Sequence, residues 1–310
     1  MWEKTMGAAK DGGEIRPEHV ADPHRIDREA VERALAGLGK SFTGMDAVTG
    51  QLRHYCRWVA YVQRRAEALN LEKTPEYRWH LRFTGPPGTG KTSVAREMGK
   101  FFRAMGITES GDVKECGATE LKGAYVGHAQ QAVNDLFHEN RGKVVFIDEI
   151  YSLYNPEAGQ NDSFGREAID TLVRCLTAEE NRDTVVIVAG YKDRVDRFME
   201  ANPGLASRFP EEIEFGDYDE GACTEIFRAA AAEKKYELGA GCEEKARAWF
   251  RGKKAAGNFG NGRDAKGLLG VVEARMAERL DGAIASGDDY RLITPEDIPE
   301  WPSDGGKEAT

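Results

Sequence analysis

Leu81-Arg82-Phe83-Thr84-Gly85-Pro86-Pro87-Gly88-Thr89-Gly90-Lys91-Thr92-Ser93 opens on a short apolar run, turns through three glycines and two prolines, and closes on a lysine and two hydroxyls. Val94, Ala95, Met98, Phe101, Phe102 and Met105 then recur at helical spacing. Strand, glycine-rich turn and helix in that order predict a phosphate-binding loop. Glycines let backbone N–H groups approach phosphate oxygens, and the helix N-terminus adds its positive end. Lys91 is placed to reach the β- and γ-phosphates, and the Thr92 hydroxyl to ligate Mg²⁺. Pro87, Gly88, Thr89, Gly90, Lys91, Thr92 and Ser93 are therefore the candidate nucleotide-binding residues, and ATP with Mg²⁺ the expected cofactors.

Outward from this loop, apolar runs at 81–84, 113–116, 144–147 and 185–189 alternate with helical patterns, and a fifth run is expected at 213–215. That rhythm predicts an α/β fold, a parallel sheet sandwiched by helices. The third run ends in Asp148-Glu149. Open α/β sheets bind ligands at the carboxyl ends of their strands. Asp148 is accordingly the candidate metal ligand and Glu149 the candidate base for an attacking water. Beyond residue 217 strand patterns fade into helical ones (Ala222, Ile226, Phe227, Ala230; Ala246, Trp249, Phe250; Leu268, Val272, Met276), which predicts a small helical lid domain. The expected organisation is an N-terminal extension at 1–39, a large nucleotide-binding α/β domain at 40–217, the lid at 218–301 and a tail at 302–310.

The chain of 310 residues is 40% hydrophobic and 31% charged, the composition of a globular protein, and no apolar run approaches the roughly 18 residues a membrane-spanning helix needs. A cytoplasmic location is expected, or the stroma for a red-lineage plastid protein, with no membrane partner. Forty-three basic against 53 acidic residues leave a net charge of −10, which argues against nucleic acid as a partner. The five cysteines (Cys56, Cys116, Cys175, Cys223, Cys242) form no CxxC pair and read as reduced core thiols. The six histidines show no metal-binding spacing. Trp58, Trp79 and Trp249 are expected in the core.

Several segments carry a resemblance. Tyr125-Val126-Gly127-His128, the run from Phe146 to Tyr154 (FIDEIYSLY), Asn181-Arg182-Asp183, Val186-Ile187-Val188-Ala189-Gly190-Tyr191 and Asn202-Pro203-Gly204-Leu205-Ala206-Ser207-Arg208-Phe209 are similar to AAA+ ATPases of the group containing CbbX (the red-type Rubisco activase), SpoVK and EccA. The resemblance implies a homo-oligomeric ring, expected to be hexameric, that hydrolyses ATP between neighbouring subunits. It also implies Arg208 as the arginine finger, Arg263 as the sensor 2 arginine with Lys266 a turn further along, and Tyr125, Val126 and Gly127 as a pore loop gripping a protein client. Red-type Rubisco is the first client candidate. The alternative is an ATP-dependent assembly or scaffold switch, of the secretion or sporulation type, that does not thread its partner. The chain departs from the pattern in having Ala189-Gly190-Tyr191 where many AAA+ proteins place a sensor 1 asparagine, and Ala206 where CbbX proteins tend to carry a second arginine.

Overall fold

Alternation along the central strands builds the sheet. In β3 (Val144–Asp148), Val144 and Phe146 point to one face while Val145 and Ile147 point to the other, and β4 (Val185–Gly190) divides Val185, Ile187 and Ala189 from Val186 and Val188 in the same way. Both faces must therefore be covered, as in any all-parallel sheet. The computed structural model describes residues 26–40, 44–71, 79–122, 128–153, 163–257, 259–281, 287 and 289–301. Within them α1 (Arg28–Lys40) and α2 (Asp46–Ala68) precede β1 (Leu81–Thr84), and α3 (Lys91–Ala104) leads to β2 (Val113–Gly117). Then α4 (His128–Glu139), β3, α5 (Ser163–Thr177), β4, α6 (Lys192–Ala201), the single turn α7 (Pro203–Ala206) and β5 (Glu211–Glu214) complete the α/β unit. All five strands are parallel in the order β2-β3-β4-β1-β5. Leu52, Tyr55 and Val59 of α2 and Met98, Phe101 and Phe102 of α3 pack on one face; Val133 and Phe137 of α4, Leu172 of α5 and Phe198 of α6 pack on the other.

The lid comprises α8 (Glu220–Glu233), α9 (Cys242–Ala255) and α10 (Gly262–Leu280), with β6 (Glu237–Leu238) paired parallel to β7 (Leu292–Ile293). Asp219 caps α8, its carboxylate accepting the Ala222 N–H at 2.6 Å. Phe227, Phe250, Leu268 and Val272 join the same apolar core as α2, α3 and β1, so the lid and that face of the sheet share one interior.

The structure differs from the sequence expectation at two places, β5 and Trp58. The fifth strand is 211–214 rather than 213–215: β5 is an edge strand in register with Leu81–Thr84, and it exposes Glu211 and Glu214 while only Ile213 turns inward. Phe215 lies past its end, buried with Phe83. The lid is helical as expected, with a two-residue ladder, β6 with β7, that is too short to leave a strand pattern in the sequence. Trp58 is only partly buried, although Trp79 and Trp249 are core and all five cysteines are buried thiols.

One ion pair closes the lid. Asp297, 1% exposed, accepts two hydrogen bonds from Arg279 (2.8 and 3.0 Å) and two from Thr294, through N–H at 2.8 Å and O–H at 2.9 Å. Burial pushes the Asp297 carboxyl up, but Arg279 and Thr294 outweigh it and hold it below its ordinary value. That stabilisation is complete above the unfolded carboxylate value of about 3.9 and is lost as pH falls through the lower folded value. Asp297→Ala is expected to reduce the unfolding free energy by about 2–3 kcal/mol in urea denaturation at neutral pH, and a loss of less than about 0.5 kcal/mol would show the pair to be idle.

Candidate active site

The phosphate loop joins β1 to α3 at the carboxyl edge of the sheet. Gly90, the residue before α3, has φ of 88° and offers no side-chain cap. The first-turn N–H groups of α3 have no intrahelical acceptor, so they stand as donors at the positive end of a helix dipole. The loop's carbonyls, in contrast, are all engaged. Lys91 Nζ donates to the carbonyls of Gly85 (2.8 Å) and Pro86 (2.7 Å), and the Thr89 hydroxyl also donates to Pro86. The next three carbonyls are met from the lid and its hinge: Pro87 by Asn261 Nδ2 (3.1 Å), Gly88 by the Gly262 N–H (3.0 Å) and Thr89 by the Tyr218 hydroxyl (3.0 Å). Burial pushes the Tyr218 phenol up to about 12, which keeps that donor protonated.

Across the cleft, β3 ends at Asp148 and the chain turns sharply. Glu149 has φ of 51°, a left-handed conformation rare for a residue with a side chain, and it leaves the carboxylate exposed to the cleft. The turn is held by the Glu149 N–H donating to Asp148 Oδ1 (2.9 Å) and by the Ser152 N–H donating to the Glu149 carbonyl (2.7 Å). At the end of β4, a Cβ on Gly190 would lie 2.6 Å from the Tyr151 ring, so a small residue there admits Tyr151 to the cleft. The Arg194 guanidinium lies 5.3 Å from the ring centres of both Tyr151 and Tyr191.

The cleft encloses about 480 Å³ and brings together Lys91, Thr92, Asp148, Glu149 and Arg263. Met45, Ile226, Ala229 and Ala230 supply an apolar wall beside the phosphate loop, suited to a flat base. Unspent N–H donors, a lysine and an arginine on one side and an apolar slot on the other fit a nucleoside triphosphate. No cluster of three or more metal-ligating side chains occurs among the described residues. The pair Thr92 and Asp148 fits Mg²⁺ instead, an ion that ordinarily takes one or two protein ligands and completes its shell with phosphate oxygens and water.

The sequence-derived candidates Pro87, Gly88, Thr89, Gly90, Lys91, Thr92, Ser93, Asp148, Glu149 and Arg263 all line this cleft, as does Lys266. Arg208 does not. It follows α7, half-buried, with its guanidinium donating to the Ser207 hydroxyl. Tyr125, Val126 and Gly127 lie outside the described residues. Tyr151 and Tyr191 belong to segments that carry the resemblance, but no residue pattern gives them, Tyr218 or Asn261 a role in the site. Asn261, set between two glycines and two residues before Arg263, carries a local signal that Tyr218 lacks.

Residues 81–217 match the family described as ATPase family associated with various cellular activities (AAA), and residues 223–308 match an AAA lid domain. The chain belongs to the AAA ATPase family. It is 35% identical over 260 residues to Stage V sporulation protein K (SpoVK) of Bacillus subtilis (strain 168), spanning 83% of this chain and 77% of that protein. It is 32% identical over 265 residues to Protein CbbX of Cereibacter sphaeroides, with 85% and 84% covered. Against a chloroplastic ribulose bisphosphate carboxylase/oxygenase activase of Cyanidioschyzon merolae it is 31% identical over 283 residues, with 88% and 90% covered. The crystal structure of the FIGL-1 AAA domain shares the fold at a TM-score of 0.55 and 18% identity, covering 91% of this chain and 89% of that one. The protein is thus an AAA ATPase with a lid, of the CbbX and SpoVK type.

Lys91 is expected to give this cleft a proton linkage on nucleotide binding. Burial lowers its ammonium to about 8, with Asp148 pulling it back up and Arg263 pushing it further down. Triphosphate oxygens favour the charged form, so binding above that value must take up a proton. ATP affinity is expected to fall by up to about tenfold per pH unit above pH 8. Calorimetry at pH 8.5 in buffers of different ionisation heat should report net proton uptake; a buffer-independent heat would remove Lys91 from this role.

Proposed function

We propose that this ATPase works as a ring, expected to be hexameric, in which each subunit's cleft is completed by its neighbour and ATP turnover drives remodelling of a protein client. The observation that carries the reading is the division of charges. Lys91, Arg263, Asp148 and Glu149 gather around one cleft, while Arg208 stays outside it. A guanidinium suited to stabilising charge on a transferring phosphoryl group, but outside the cleft of its own chain, is best used on the next subunit's ATP.

In this reading Pro87 to Ser93 cradle the phosphates, and Thr92 and Asp148 hold Mg²⁺, which neutralises charge on the phosphate oxygens. Glu149 orients and deprotonates the attacking water. Arg263 contacts the γ-phosphate and reports its loss to the lid. Tyr125, Val126 and Gly127 grip the client, an aromatic ring giving contact with any sequence. The relative named as a ribulose bisphosphate carboxylase/oxygenase activase favours Rubisco as the first client to test. The similarity to Stage V sporulation protein K equally favours a second reading, a nucleotide-dependent assembly switch without threading. Client processing that is lost in Tyr125→Ala selects the motor over the switch.

Glu149→Gln and Arg208→Ala are each expected to lower turnover by about a hundredfold or more. ATP affinity, read by calorimetry, should stay within a few-fold in both. Mixing the two variants is the decisive measurement: interfaces that pair an intact Glu149 with a neighbour's intact Arg208 recover activity. A mixture as inactive as its components, or a protein that stays monomeric with every nucleotide, would refute the shared site.

A further inference from the structure

Asn261 has no role among the catalytic groups above, yet among the described residues no polar residue of the lid is more completely buried. It is fully buried, with exposure of 0%, and adopts φ of 55° and ψ of −125°, a backbone conformation unusual for a residue with a Cβ. Its amide spends three hydrogen bonds on groups far away in the chain. Nδ2 donates to the Pro87 carbonyl at 3.1 Å and to Asp217 Oδ1 at 2.9 Å, and Oδ1 accepts the Tyr218 N–H at 2.8 Å. Tyr218 returns to the loop through its hydroxyl, which donates to the Thr89 carbonyl. The result is a closed ring of hydrogen bonds running from loop to lid turn to hinge and back to loop.

Peptide planarity gives that ring a consequence. The carbonyl of one residue and the N–H of the next lie in one rigid plane and point in opposite directions. Holding the carbonyls of Pro87, Gly88 and Thr89 therefore sets the aim of the N–H groups of Gly88, Thr89 and Gly90, three of the loop's donors. The same turn delivers Arg263, two residues after Asn261, to the cleft wall. The approach is close enough to exclude any side chain, since a Cβ on Gly88 would lie 2.0 Å from the Gly260 carbonyl oxygen. Asparagine meets the requirement because one planar group must donate to the loop and accept from the hinge; a carboxylate cannot donate, and an apolar side chain can do neither.

We infer that Asn261 is a positioning residue, the joint through which a change in the phosphate loop moves Arg263 and the lid, and through which the lid in turn holds the loop's donors on the phosphates. The inference rests on the proposed reading of the cleft, and specifically on Arg263 acting there. Its test is a double-mutant cycle on the full chain with Asn261→Gly, Arg263→Ala and both together. Glycine accepts the local backbone conformation while deleting the amide, which separates coupling from folding. Arg263→Ala is expected to lower turnover about tenfold in the parent but less than about twofold in the Asn261→Gly background, because an arginine no longer delivered has little left to lose. Asn261→Gly alone should lose about tenfold in turnover and lose the parent's preference for ATP over ADP in calorimetry, while its thermal midpoint stays near the parent's. If its midpoint falls sharply, Asn261→Asp, which keeps the shape and the acceptor for Tyr218, takes its place in the cycle at neutral pH. Independent, multiplying losses or full turnover in the asparagine variant would overturn the inference while leaving the cleft reading intact. Full turnover in Glu149→Gln would instead bring down the cleft reading, and the inference with it.

Discussion

A loop that binds a polyanion must keep its N–H groups unspent, and that constraint organises the molecule around it. A bare glycine-rich turn has many conformations and would lose considerable entropy on ordering around phosphate. Here the order is supplied in advance from behind. Every carbonyl from Gly85 to Thr89 is an acceptor for Lys91, Thr89, Asn261, Gly262 or Tyr218, and three of those donors belong to the lid or its hinge. The loop is thus shaped by the whole chain, and the second structural unit is part of the first unit's binding site rather than an appendage to it.

The sheet serves the same end by placing three strand termini side by side. β3, β4 and β1 are neighbours, so the acid pair after β3, Gly190 after β4 and the phosphate loop after β1 converge without long excursions. The edge strand β5 is fastened by charge more than by burial. Glu212 accepts from Thr84 (2.6 Å) and Lys192 (2.7 Å) and lies near Arg82. Burial raises its carboxyl, but these partners prevail and hold it below the ordinary value. That network ties β5, and the Arg208 segment leading into it, to β1 and α6.

Local features made much of this legible in advance. The apolar runs of β3 and β4 are buried on both faces, so they read as unbroken hydrophobic strings, and the phosphate loop is written in consecutive residues. Glu149 was legible because its partner acid is adjacent in sequence. The bounds of β5 are hidden in the sequence because an edge strand with three glutamates in four residues lacks the apolar signature, and the apolar Phe215 packs beyond its end. The place of Asn261 is not legible in the sequence because it depends on Pro87, 174 positions away, and no local pattern encodes such a pairing. Arg208 differs: the resemblance of its segment marks it, but its proposed partner lies on another copy of the chain, so a single chain shows only that it is outside the cleft.

The shared interior of lid and sheet has a bearing on how such proteins exchange parts. Met45, at the start of α2, lies against the cleft beside α8, and a Cβ on Gly44 would fall 2.3 Å from the Ala222 side chain. A lid transplanted alone from a cousin would thus meet a foreign seat, mismatched to the helix beneath it. The transferable module is the lid together with α2 and the phosphate loop, three stretches scattered along the chain that can diverge only in step.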